Sequence, residues 1–332
     1  MASKGLKKII ISTLATVGTM SGAAMLWYHS RPVPIVATVR IAAPALPASA
    51  LLLVGQRQGF FRQQGLDVIL TLRPTGRECL DLLLAHEVDL AQAYVTPIAA
   101  SIVQGHDLEI FTELHHAERG TGLAVRRDRV TDERDLNKKR LGFRPDTNAA
   151  YLLDLMLATT LSDSDSVTKV PMETEEITTA LRQGRLDGGV LWEPYLSSLL
   201  AENPETFKVL HCPFYTEFSA LVGLRPRVTQ RQEVMDKVLQ ALIEAEAFGH
   251  REPSRVRALL GTALGLAEPS IARLQSESFY WDLGLSATFR AMLEEELFWT
   301  RERGIGLLSQ GLPEIVFNSS LYALQPEKRV PP

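Results

Sequence analysis

Residues 59–97 read GFFRQQGLDVILTLRPTGRECLDLLLAHEVDLAQAYVTP. Leu66 to Leu72 carries branched and aliphatic residues and runs into Arg73-Pro74, which predicts a strand. Thr75-Gly76 makes a turn. Cys79, Leu80, Leu83 and Leu84 then recur at helical spacing, which predicts a helix over Arg77 to His86. Asp89 to Ala93 reads as a short buried strand, with Tyr94-Val95-Thr96-Pro97 as the loop after it. A strand-helix-strand unit of this length closes as a right-handed crossover, and small ligands lie beyond the carboxyl ends of such strands. Two loops therefore stand out, Pro74 to Arg77 and Tyr94 to Thr96.

The flanking chain repeats the pattern. Val36 to Ala42 alternates as a first strand, Ala43 to Pro47 is a loop, and Ser49 stands at the start of a helix over Ala50 to Gln58. Ile98 to Gln104 is a helix, and Leu108 to Leu114 and Thr121 to Arg126 are strands. A second α/β unit starts afresh. It has a helix at Thr131 to Asn137, a strand at Leu141 to Phe143 and a loop at Arg144 to Asn148. A helix at Ala149 to Leu161, a polar loop at Ser162 to Ser166 and a strand at Val167 to Val170 follow. Next come a helix at Glu173 to Gln183, a buried strand at Gly188 to Leu191, and a helix opening at Trp192-Glu193-Pro194-Tyr195. Glu217 to Leu224 crosses back. The helices at 231–249, 253–261, 269–277 and 287–304 pack on the first unit, with Val316 to Leu324 as a tail.

Several of these segments, in this order, resemble the substrate-binding proteins of ABC importers, in the branch that takes nitrate, sulfonates, taurine and thiamine-pyrimidine precursors. They are the Gly-Phe-Phe and Gly-Leu-Asp-Val steps, the run from Gly76 to Ala93, Leu141 to Thr147, Ala180 to Gly189, and Trp192-Glu193-Pro194. The resemblance spans roughly residues 38 to 325. It implies an α/β, two-lobed periplasmic-binding-protein fold of type II, each lobe a mostly parallel sheet flanked by helices, with the ligand cleft between. The expected division is a discontinuous first lobe, 36–122 and 222–325, and a second lobe, 123–221.

Length and composition agree. A chain of 332 residues exceeds one small core, and its 45% hydrophobic and 22% charged content is ordinary for a globular protein. The net charge of -4, with no dense basic run after the N-terminus, gives no reason to expect nucleic acid. Cys79 and Cys212 are far apart in sequence. They read as buried thiols, with a bridge left open in an oxidising compartment. No spacing suggests zinc, and His115-His116 reads as a solvated strand end. At the start, Lys4, Lys7 and Lys8 precede the charge-free stretch of 20 residues from Ile9 to Tyr28. It reads as an export signal or as an uncleaved anchor closed by Trp27 and Tyr28, with residues 1–35 forming signal or anchor plus linker. Either reading puts the rest in the periplasm or on the outer face of the inner membrane.

With both lobes α/β, the strand-end loops share one cleft. The expected ligand-binding residues are Ser49, Thr75, Gly76, Arg77, Tyr94, Thr96, Arg144, Thr147, Asn148, Trp192 and Glu193. Helix starts in these loops favour anions. One of Arg77 and Arg144 contacts an anionic group on the ligand, or both are solvated or paired with Glu78 and Asp146. Tyr94, Trp192 and Tyr195 offer flat walls. Glu193 suits a cationic or NH-bearing group, or stabilises its helix start. Asp89 and Asp187 occupy equivalent places before buried strands and read as structural. No nucleophile elbow, P-loop, dinucleotide motif or metal motif is present.

The expected function is capture of a small anionic, sulfonate-like solute by hinge closure, as a monomer without cofactor or catalytic residues, for delivery to an ABC permease. A membrane-anchored sensor or adaptor is the alternative. The related thiamine-pyrimidine synthase branch would need a Cys-rich iron motif, and this sequence has only two separated cysteines.

Overall fold

A computed structural model describes residues 34–160, 166–276, 279–304 and 315–328. The Ile9 to Tyr28 segment and the loop over 162–165 lie outside the described residues. Among the described residues no helix is long and apolar enough to cross a membrane.

The quoted stretch sits at the middle of the first sheet. Strand β1 (Ala37–Pro44) leads through helices α1 (Ala50–Arg57) and α2 (Phe60–Gln63) to β2 (Leu66–Arg73). β1 and β2 pair in parallel from Ala37↔Leu66 to Pro44↔Arg73. Helix α3 (Gly76–Leu84) follows, then β3 (Leu90–Tyr94), which lies parallel to β1 on its other side. Helix α4 (Val95–Val103) begins three residues earlier than its sequence suggested. Pro97 falls in its first turn, where the missing N–H and fixed φ cost nothing. Tyr94 is consequently the residue before the helix rather than part of a loop.

Strand β4 (Leu108–Ala117) completes the first half of this sheet, and β5 (Thr121–Arg126) opens the second sheet. The second sheet also holds β6 (Arg140–Phe143), β7 (Thr168–Pro171), β8 (Gly188–Trp192) and β9 (Phe207–Leu210). Helices α5 (Asn148–Thr160), α6 (Thr174–Arg182) and α7 (Tyr195–Glu202) connect them. β10 (Glu217–Leu224) belongs to the first sheet over its whole length, between β3 and β4. The chain thus passes between sheets twice, after Ala117 and after Leu210. Strand orders are β11-β4-β10-β3-β1-β2, where β11 is Phe279–Tyr280, and β7-β6-β8-β5-β9. β12 (Val316–Phe317) adds to β4.

The expected parallel sheets are present as three-strand cores, β2-β1-β3 and β7-β6-β8. The two crossing strands add antiparallel pairs beside them, β10 against β3 and β5 against β8. The helix expected at 131–137 is a single 3-10 turn, Glu133–Leu136, held by reciprocal Asp132 and Asp135 caps. Strand β9 and the two-residue strands β11 and β12 are not legible in the sequence, and the expected tail holds β12 and the short α13 described below.

After β10 come α8 (Arg225–Thr229), α9 (Gln232–Arg251), α10 (Pro253–Leu264), α11 (Glu268–Ser276), α12 (Ala287–Glu302) and α13 (Ser320–Leu324). In α9, Met235, Val238, Leu239, Leu242 and Ala245 repeat on one face and are buried against α1 and its neighbours. Three apolar clusters result. One covers the outer face of each sheet, and the largest runs between the sheets, from Ala42 and Tyr94 to Trp192 and Phe289. Both cysteines are free and buried in that central cluster.

Candidate functional site

The strand-end loops of the two lobes meet around a narrow cavity. Leu46, Thr75, Gly76, Arg77, Tyr94 and Pro97 line it from the first lobe, and Thr147, Asn148 and Trp192 from the second. Each is set by local structure. Thr75 is extended, and its hydroxyl accepts from the Glu78 amide at 3.4 Å, so the α3 start faces the cavity. Gly76 lets that start press on β3, because a Cβ there would fall 2.7 Å from the Ala93 Cα. Thr147 accepts from the Ala149 amide at 3.3 Å and donates to the Arg144 carbonyl at 2.9 Å, shaping the start of α5. Asn148 donates to the Thr121 hydroxyl at 3.2 Å.

The cavity presents mainly donors. Two helix N-termini open on it, and Arg77 lies beside it, paired with Asp81 at 3.0 Å on a half-exposed surface. Trp192 is 5% exposed, and its indole N–H has no hydrogen-bond partner among the described residues. Tyr94 and the neighbouring Tyr215 are buried, and burial holds both phenols well above their usual range, so they stay protonated.

Four of the residues expected to bind ligand are engaged elsewhere. The Ser49 hydroxyl is fully buried and donates to the Pro44 carbonyl at 2.7 Å. Thr96 donates to Glu296 on the far side of α4, where it faces a separate cavity with Thr300 and Trp299. Arg144 bridges Glu78 of the first lobe at 3.1 Å and Glu173 of the second at 3.0 Å, and Asp146 is not its partner. Glu193 is buried, takes the Ser197 hydroxyl at 2.5 Å and pairs with Arg273 of α11 at 2.7 Å. Tyr195, expected as a wall, donates to Glu175, which with burial lifts its phenol to about 12. Nothing in the sequence named Glu173, Arg273 or Glu296 as partners of these groups.

Behind Tyr94 lies a set of groups that sequence reasoning passed over. Glu217 and Glu296 are both buried carboxyls, pushed up to about 8 by burial. His115 is fully buried, not solvated, and burial keeps it neutral. Its Nε2 lies 3.9 Å from Glu217, too far for a hydrogen bond, and a neutral imidazole makes no ion pair there. For metals, Glu246, His250 and Asp282 bring three donor atoms within 4.8 Å of one another. Lys328 already neutralises Glu246 there, and His250 holds Asp282 at 2.7 Å.

A family model described as NMT1/THI5 like matches residues 46–255. No curated protein matches the chain in sequence. The structure superimposes on the periplasmic aliphatic sulphonate binding protein SsuA from Escherichia coli with a TM-score of 0.70 at 17% identity, over 86% of this chain and 96% of that one. The periplasmic nitrate-binding protein NrtA from Synechocystis PCC 6803 gives 0.69 at 14% identity, over 89% of each chain. The desulfurization enzyme DSZB gives 0.62 at 16% identity, over 83% of this chain and 94% of that one. At these identities the likeness is one of fold, the two-lobed periplasmic-binding-protein fold, on which both binders and an enzyme are built.

Proposed function

The chain belongs to the NMT1/THI5-like family, and from that premise we propose that it is an extracytoplasmic solute-binding protein serving an ABC importer. Its cleft takes a small solute with an anionic, acceptor-rich head and an apolar body. The observation that carries this reading is the buried Trp192 N–H, which has no acceptor among the described residues and lies at the wall of the interlobe cavity. Buried donors are rarely left unmatched, so a cavity that presents one favours a ligand that accepts.

Arg77 and the two helix starts add positive potential around the same cavity, which suits sulfonate or carboxylate oxygens. Leu46, Pro97 and the ring faces of Tyr94 and Trp192 suit the apolar body. A pyrimidine held by Glu193 fits less well, because that carboxylate is occupied by Ser197 and Arg273. The structural neighbours SsuA and NrtA are binders of sulphonate and nitrate, and a solute of that class is the expected ligand here.

A thermal-shift screen of the full chain against alkyl and aryl sulfonates, taurine, nitrate, carboxylates and pyrimidines tests the reading. Saturation at ~100 times the dissociation constant stabilises by about 2.7 kcal/mol, which raises Tm by several degrees. A shift confined to anions supports it. A shift with pyrimidines alone, or with nothing, overturns it.

A further inference from the structure

Strand β2 closes one end of the first sheet, and among the described residues no strand pairs with its outer side. The carbonyls of Gly65 and Arg73 accept from Val36 and Ala45, which flank β1, at 2.8 and 2.7 Å. The odd-numbered residues between them therefore turn their backbone groups toward β1. The even-numbered residues Val68, Leu70 and Leu72 turn theirs outward. Two side chains touch this outer row. Gln56 donates to the Val68 carbonyl at 3.4 Å, and Arg73 donates to the Leu72 carbonyl at 3.1 Å. Neither engages an outward amide.

The other sheet ends are guarded. β7 and β9 have four residues each; β7 carries Lys169 and closes on Pro171, and β9 carries Lys208. β11 has two residues. Shortness, lysine and proline are the ordinary defences of an open edge. β2 uses none of them. It runs for eight residues, and between Asp67 and Arg73 it reads Val-Ile-Leu-Thr-Leu, without charge or proline. Val68, Leu70 and Leu72 are half-buried against the outer core cluster, and Ile69, on the opposite face of the strand, is 46% exposed.

This edge is complementary to itself. Two copies of β2 laid antiparallel about a two-fold axis at Leu70 place Leu70 opposite Leu70, Val68 opposite Leu72 and Ile69 opposite Thr71. The outward residues then meet as hydrogen-bonded pairs, with N–H and C=O both engaged. Asp67 of each copy falls opposite Arg73 of the other, in the closer, non-hydrogen-bonded class of pair. Among the described residues neither Asp67 nor Arg73 forms an ion pair within its own chain. An axis at Ile69 sets Asp67 against Thr71, and an axis at Thr71 sets it against Thr75, so charge selects the Leu70 register.

We propose that the chain forms a two-fold dimer through antiparallel β2–β2 pairing, one continuous sheet across two first lobes, in place of the monomer that the resemblance implies. β2 stands three places along the sheet from β10, so the interface leaves that crossing strand untouched. It also leads directly into Pro74 and the cavity residues Thr75, Gly76 and Arg77, so pairing holds the strand end that carries one wall of the cleft.

Sedimentation equilibrium of the full chain over a dilution series, without solute, tests this. The expected mass is twice that of one chain. Asp67→Arg and Arg73→Asp each set like charges opposite one another at both ends of the interface, and each should raise the dimer dissociation constant by about tenfold or more. Asp67→Arg/Arg73→Asp restores opposite charges in the same register and should restore the dimer, which no unfolded variant would do. Ile69→Cys/Thr71→Cys should cross-link two copies on oxidation, because these positions face each other across the axis, while Cys79 and Cys212 stay buried. A chain that stays monomeric at every concentration overturns the proposal. So does a dimer indifferent to the single reversals, which would associate through another surface, or one that the double variant fails to restore. The solute-binding reading fails separately, by the absence of thermal shifts.

Discussion

Arg77 and Arg144 share a residue type and a cleft but not a role. Among the described residues Arg77 pairs with Asp81 alone, an exposed i,i+4 pair worth about 0.3–0.5 kcal/mol, and is readily released to a ligand. Arg77→Ala should therefore leave Tm nearly unchanged and weaken solute binding by about tenfold or more, the loss of one charge-assisted contact, as read by titration calorimetry. Trp192→Phe separates ring from donor in the same way. It keeps the apolar wall and removes the indole N–H, so affinity should drop by about tenfold without loss of stability. Unchanged affinity in both variants would remove these residues from the site. Glu193 and Arg273 behave as structure instead. Their side chains are 3% and 17% exposed at 2.7 Å, and Arg273→Ala leaves a buried carboxylate behind. Chemical denaturation should show a loss of about 3 kcal/mol, partly recovered in Arg273→Ala/Glu193→Gln.

At the scale of elements, packing decides what a helix start can present. Gly76→Ala puts a methyl against the Ala93 backbone, so α3 must lift from β3 or Tyr94 must move. The expected cost is about 1–3 kcal/mol, with a cleft that binds less well even though no ligand contact is deleted. Denaturant midpoints and binding constants on the one variant separate the two effects. Elements of this kind were largely legible in the sequence. The strong periodicities of 66–72 and 77–86 mark β2 and α3, and the equivalent acids Asp89 and Asp187 mark the starts of β3 and β8. Asp89 accepts from the Arg40 amide at 2.8 Å and pairs with Arg231, while Asp187 accepts from the Arg140 amide at 2.8 Å and pairs with Arg129. Each thereby pins the register of the neighbouring parallel strand. What stayed hidden was pairing across long sequence separations. Nothing near Arg144 announces that its partners are Glu78 and Glu173. Nothing in Phe207 to Leu210, four residues without alternation, announces an edge strand. The buried acids Glu217 and Glu296 drew no reading from the sequence, because burial is a tertiary property.

Across the whole molecule the two lobes are tied at several points. Arg144 reaches Glu78, and Asp154 of the second lobe takes the Trp299 N–H of α12 at 3.1 Å together with Arg303 just past its end. Asp154→Ala cuts the second tie at once and also frees Lys169. It should speed solute release several-fold with little effect on capture, since a tie formed after encounter acts on dissociation. Stopped-flow association and displacement traces measure the two rates separately.

The place of β10 has a consequence for how this chain is born. Its eight residues stand between β3 and β4, so the first sheet is two unjoined pieces until Glu217–Leu224 arrives. Those residues follow the whole second sheet in sequence. As the chain emerges from its N-terminus, β3 waits with an open edge while residues 121–210 form a complete second unit. Contacts of such long sequence separation form slowly and leave strand edges exposed to wrong partners. The second lobe is therefore free to fold first. The first lobe stays an unfinished intermediate, and a chain cut before Glu217 should yield the folded second sheet and an aggregating first one.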